Sequence, residues 1–149
     1  MQNDTDISAK GDALTPSTPT RIPAVLVLAD GRTFRGFSFG AAGKTLGEAV
    51  FTTAMTGYQE TLTDPSYHRQ IIVATAPQIG NTGWNDEDNE SRDGSIWAAG
   101  LVIRDLAHRV SNWRAQRTLP EEMEKQGLVG IRGVDTRALV RHLRDNGAQ

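Results

Sequence analysis

The sequence contains no cysteine. That absence excludes disulfides, thiolate metal sites and cysteine nucleophiles together, and it suits a cytoplasmic chain. Net charge is nearly absent too: Lys+Arg number 16 against Asp+Glu 18, a formal charge of -2. No basic field therefore favours nucleic acid or an anionic membrane surface. No apolar run approaches the length of a membrane span, and the N-terminus lacks the basic and apolar regions of a secretory signal. The histidines His68, His108 and His142 are far apart and none has a partner at helical ligand spacing. With no His-Glu-x-x-His pattern, no metal site is predicted. There is no internal repeat.

What is present fits one domain of 149 residues, long enough to bury a core. Residues 1–22 are rich in Asp, Ser, Thr and Pro without apolar periodicity, which predicts a disordered tail ahead of a domain over 23–149. Ala24 to Leu28 is an apolar run of strand length. Asp30-Gly31 follows as a two-residue hairpin signal, and the run from Arg32 to Phe39 alternates as a half-buried antiparallel strand does. Strands are also predicted at Ala49–Phe51, Gln70–Thr75, Trp97–Ile103 and Leu128–Ile131. Thr118 and Glu121 form a capping box around Pro120, so a helix should run from about Leu119 to Lys125 and end at Gly127. Asp135 should cap a second helix with Leu139, Val140 and Leu143 on one face and Arg137, Arg141 and Arg144 largely on the other. Strands first and helices late give an α/β class with mixed, partly antiparallel sheets.

The least generic stretch is Phe51 to Ile72, in which Gly57, Tyr58, Tyr67 and the turn Thr63-Asp64-Pro65-Ser66 lie between two strand-like runs. Ser66 is the serine that such a turn could present. Asp64-Pro65-Ser66-Tyr67 is not the Gly-x-Ser-x-Gly elbow, and a nucleophilic serine needs an adjacent base. His68, two residues on, cannot be assumed to face it, so a helical turn capped by Asp64 or Ser66 is the plainer expectation. Two further near-matches fail. Gly43-Lys44-Thr45 ends like a phosphate-binding loop, but position 38 is Ser where that motif needs Gly, and strand-like residues follow, so a solvated loop is expected. The acidic run Asn85 to Glu90 is no calcium loop, because Ser91 and Trp97 stand where Gly and Glu are needed. From the residues alone, no catalytic constellation is complete, and the polar turn suits binding more than chemistry.

Taken in order, Leu28 to Gly36, Gly47 to Glu60, Thr63 to Tyr67, Pro77 to Gly83, Ala99 to Asp105 and Gly133 to Arg137 resemble the N-terminal domain of the carbamoyl-phosphate synthase small chain. The likeness covers about Pro23 to Gln149. It implies a swivelling β/β/α domain. It also implies a small chain that releases ammonia from glutamine and a large chain that joins ammonia to bicarbonate, using ATP and Mg, for arginine and pyrimidine synthesis. The family's catalytic Cys, His and Glu lie in a following class I amidotransferase domain, and none of them is here, so this stretch alone should not hydrolyse glutamine. The resemblance makes the partners the large subunit and that amidotransferase domain, and it makes Ser66 a glutamine contact on a wall formed by Met55 to Tyr67. No cofactor is implied for this domain. Two departures are visible: Ala54 stands where many relatives have Ser, and the Arg92 to Ser95 region looks longer than usual. The alternatives are a free-standing binding module and, last, a hydrolase using Ser66 and His68.

Overall fold

The computed structural model describes residues 5–9, 21–52, 58–76, 78–79, 84, 94–106, 118–147 and 149. In chain order these form β1 (Thr5–Ala9), β2 (Pro23–Val27), β3 (Thr33–Gly40), β4 (Lys44–Thr52), α1 (Tyr58–Thr63) and a single 3-10 turn (Pro65–Tyr67). There follow β5 (Gln70–Ala74), β6 (Gln78–Ile79), β7 (Gly100–Val102), β8 (Asp105–Leu106), α2 (Leu119–Gln126), β9 (Val129–Arg132) and α3 (Thr136–Asn146). Seven of the strands close into a barrel in the order β1-β2-β3-β9-β7-β5-β4, while β6 and β8 pair alone. The class is α/β with a mixed sheet. Four barrel ladders are antiparallel (β1 with β2 and β4, β3 with β2 and β9). Three are parallel, joining β4 to β5, β5 to β7 and β7 to β9.

The parallel strands read as unbroken apolar runs because both of their faces are covered. Along β5, Ile71 and Val73 join the barrel interior with Ile7, Leu26, Leu28, Phe34, Val102 and Ile131. The alternate residues Ile72 and Ala74 join a second cluster outside the barrel with Phe39, Leu62, Leu101, Leu119 and Met123. Helices α1 and α2 roof this outer cluster. Gly130 on β9 makes room for α2: a Cβ there would lie 2.6 Å from the Phe39 ring and 2.7 Å from the Met123 methyl. Helix α3 packs Leu139, Val140 and Leu143 onto the barrel cluster. Each such side chain contributes on the order of 1.5–3 kcal/mol when fully buried.

The local signals for the two long helices hold. Thr118 accepts from the Glu121 amide at 3.3 Å, the Thr118 amide donates to the Glu121 carboxylate at 3.4 Å, and Gly127 ends α2 in the left-handed region at φ 77°. Asp135 accepts from the Ala138 amide at 3.1 Å to start α3.

Four expectations change. The disordered tail predicted over residues 1–22 is a barrel strand at Thr5–Ala9, paired with β2 on one side and β4 on the other. Thr5 and Ile7 are fully buried there, and one large apolar residue in five gives no period to detect. Residues 1–4 and 10–20 lie outside the described residues. The hairpin loop is one residue longer than expected: the Gly31 amide donates to Leu28 O, the Leu28 amide donates to Arg32 O, and Gly31 has φ 93°. This is a three-residue connection with a glycine bulge. The stretch Gly43-Lys44-Thr45 is a bend entering β4 and not a solvated loop, with Lys44 Nζ 3.3 Å from Asp6 and the Thr45 hydroxyl donating to Ala99 O. The strand expected over Trp97–Ile103 is shorter, Gly100–Val102. No described helix is long and apolar enough to cross a membrane.

Candidate functional site

The polar turn is built by local chemistry. Pro65 fixes its own φ, the Asp64 carboxylate accepts from the Ser66 amide at 2.9 Å, and the Tyr67 and His68 amides donate to Asp64 O and Pro65 O. Of the two caps the residues left open, Asp64 and Ser66, the turn uses Asp64. Tyr67 is half-buried against the outer cluster and anchors the turn, which leaves Ser66 exposed at its crest. Among the described residues the Ser66 hydroxyl has no hydrogen-bond partner.

The turn leads into β5 through Arg69, the one described non-glycine residue with positive φ, at 64°. A left-handed L-residue costs roughly 1–2 kcal/mol, so the surrounding structure must hold it there. Its neighbour explains how. Gly47 on β4 lies under the Arg69 carbonyl, and a Cβ at that position would come within 2.5 Å of this oxygen. Only glycine lets β4 pass so close to the bend.

His68 does not reach Ser66. Its ring stands edge-on to Trp97, with centroids 5.4 Å apart and planes at 86°. The Trp97 amide in turn donates to Leu62 O at the end of α1, which ties this ledge to the helix. No hydrogen bond joins Ser66 to His68, so the nucleophile-base contact of a serine hydrolase is not made among the described residues. The space beneath α1, between Tyr58, Leu62, Ile72 and Leu101, holds about 10 Å³, room for little more than one water. Whatever Ser66 touches must come from outside, onto an open ledge.

Of the predicted wall, Tyr58 to Tyr67 is described, while Met55 to Gly57 lies outside the described residues, as does the acidic run Asn85 to Glu90. Among the described residues no group of three His, Cys, Asp or Glu is placed to hold a metal ion. Sequence reasoning missed one polar cluster that joins the hairpin loop, α3, β1 and Gln149. His142 Nε2 lies 2.6 Å from the Asp30 carboxylate, the Asp30 amide donates to Gln149 Oε1, and the Thr5 hydroxyl and Ala49 amide both donate to Gln149 O. It joins residues up to 144 apart in sequence, which no local pattern announces. The amide of Arg32 first, and His142 second, hold the Asp30 carboxyl below its ordinary value.

Residues 26–149 match the family described as carbamoyl-phosphate synthase small chain, CPSase domain. The chain is 73% identical over 148 residues to the carbamoyl phosphate synthase small chain of Corynebacterium efficiens, covering 99% of this chain and 37% of that protein. It is 81% identical over 127 residues to the protein of the same name from Corynebacterium glutamicum, covering 85% of this chain and 32% of the relative. For the Mycobacterium tuberculosis (H37Rv) small chain the figures are 68% over 125 residues, 84% and 33%. The chain therefore spans about a third of the length of these curated relatives.

Proposed function

The chain belongs to the carbamoyl-phosphate synthase small-chain family, and from that premise we propose that it works as the N-terminal domain of a glutamine-hydrolysing small subunit. In this reading the small subunit forms a cytoplasmic heterodimer with a large subunit and supplies it with ammonia from glutamine. The large subunit joins that ammonia to bicarbonate, with ATP and Mg, to give carbamoyl phosphate for arginine and pyrimidine synthesis. The share of this domain is to dock the large subunit and to form one wall of the glutamine site. It does not hydrolyse glutamine by itself, since amide hydrolysis through a thioester needs a cysteine and these 149 residues contain none.

The observation that supports the wall is the Ser66 turn. Its backbone is fixed by the Asp64 cap and the Tyr67 anchor, so an exposed hydroxyl is presented with little freedom left to lose. A hydroxyl both donates and accepts, which matches the carboxylate or amide of glutamine and does not require nucleophilic activation. Ser66→Ala in the full-length small subunit, assembled with its large subunit, tests the assignment. Such a hydrogen bond contributes on the order of 0.5–1.5 kcal/mol to an amide and roughly up to 3 to a carboxylate, so the glutamine KM should rise at least about twofold. Synthesis driven by free ammonia should stay at the parental rate. An unchanged glutamine KM would remove Ser66 from the site.

A further inference from the structure

On the α3 side of the barrel lies a cleft of about 640 Å³ that is strongly basic. Three of its arginines, Arg137, Arg141 and Arg144, follow one another along α3 at i, i+4 and i+7, and Arg104 reaches it from the turn after β7. All four are exposed, and none makes an ion pair with a described carboxylate. Asp145 is the one acid in the lining. Like charges at these spacings repel along a helix. Arg137 also stands in the first turn of α3, at the positive end of the helix dipole, where a cation is unfavourable. Within α3, Arg137 and its spacing to Arg141 are therefore unfavourable, and opposing negative charge would relieve them.

The stripe is also too long for one small anion. Seven residues of helix extend about 10 Å, well beyond the width of a phosphate or carboxylate. Its surroundings are mixed: Val140 lies in the floor, and the Arg144 guanidinium rests 5.3 Å from the ring of Phe51, which is 37% exposed. Arginine beside an exposed aromatic ring over an apolar floor is the composition of a protein interface. We propose that this cleft docks an acidic segment of the large subunit, whose carboxylates pair with Arg104, Arg137 and Arg141 while an apolar residue covers Phe51. This rests on the small-subunit reading above and names the surface through which it would dock.

The test uses the full-length small subunit and its large subunit, with the dissociation constant measured by interferometry at low and physiological salt. Reversing two charges in Arg137→Glu/Arg141→Glu should weaken assembly by about tenfold or more and flatten its salt dependence. Arg35→Glu, an equally exposed site on β3, should change it by less than about twofold. Arg104→Glu lies off the helix and should weaken assembly in the same direction, so it decides the matter alone if the double variant does not fold. Parental affinity in the folded reversals overturns the proposal, as does an equal loss in Arg35→Glu, which would indicate diffuse attraction. Inorganic phosphate supplies a further arm: if the reversals abolish its binding yet leave assembly intact, the cleft is a small-anion site and the docking proposal fails. No assembly by the parental subunit would instead refute the small-subunit reading from which the proposal starts.

Discussion

Two neighbours on β5 meet different interiors. Ile71 faces the closed barrel, where every wall strand is hydrogen-bonded on both sides, and Ile72 faces the outer layer beneath α1 and α2. Both are essentially fully buried, at 0% and 1% exposure, so burial alone does not distinguish them. Their surroundings do. A closed ring of backbone bonds cannot shrink around a missing side chain, whereas helices of six and eight residues held by packing and caps can shift inward. The barrel carries the stability, and the more adjustable outer layer carries the Ser66 turn through Tyr67. The largest expected effect separates the two. Ile71→Ala should fall near the top of the range of about 2–5 kcal/mol for such truncations and Ile72→Ala near the bottom, measured by urea unfolding. Equal costs would mean that the outer layer is as unyielding as the barrel, and the contrast would be lost.

The next effect asks whether the barrel really is closed by its first strand. Ile7→Ala should cost roughly 2–4 kcal/mol, because Ile7 is fully buried among Leu26, Ile71 and their neighbours. A residue in a solvated tail would cost nothing. This strand also shows where sequence reading stops. The caps of α2 and α3, the run of β5 and the Asp64 turn were legible because each depends on residues within four positions of one another. Strand β1 was not, since its stabilisation comes from ladders to β2 and β4 and one large apolar side chain, Ile7. The barrel order was hidden for the same reason: β9 pairs with β3 and β7 across long stretches of chain. At the site, the cap and the exposure of Ser66 follow from the turn residues, while the edge contact of His68 with Trp97 depends on a residue 29 positions away and could not be read locally.

A smaller effect lies on the barrel's own polar cluster, at the opposite end of the comparison from the outer ledge. The Asp30 carboxyl sits below its ordinary value of 3.8, held there by the Arg32 amide and then by His142. A carboxyl whose folded value is depressed adds stability that is fully present above the ordinary value and is lost as pH falls through the lower folded one. Asp30→Asn should therefore destabilise the fold at neutral pH by a small amount, below about 1 kcal/mol for so exposed a group, measured by urea unfolding. The parent and the variant should draw together as pH falls below about 3.8 and coincide only beneath the lower folded value. A difference that persists unchanged into stronger acid would show that the carboxylate charge is not what ties the hairpin loop to α3.

The smallest effect on stability belongs to the residue of greatest functional interest. Ser66 is exposed, its hydroxyl bonds to no described residue, and the turn beneath it is fixed by Asp64 and Tyr67 through groups that alanine leaves intact. Ser66→Ala should thus shift unfolding by no more than about 0.5 kcal/mol. Asp64→Ala removes the cap and should do more, since such caps contribute about 1 kcal/mol. Paired with the glutamine KM, the two variants separate presentation from contact. If Ser66→Ala raises KM without touching stability, the hydroxyl itself meets the substrate. If only Asp64→Ala raises it, the turn's shape matters and the hydroxyl does not. A destabilised Ser66→Ala would place the side chain in the outer layer's packing, and the division between a stabilising barrel and a presenting ledge would no longer hold at its most important residue.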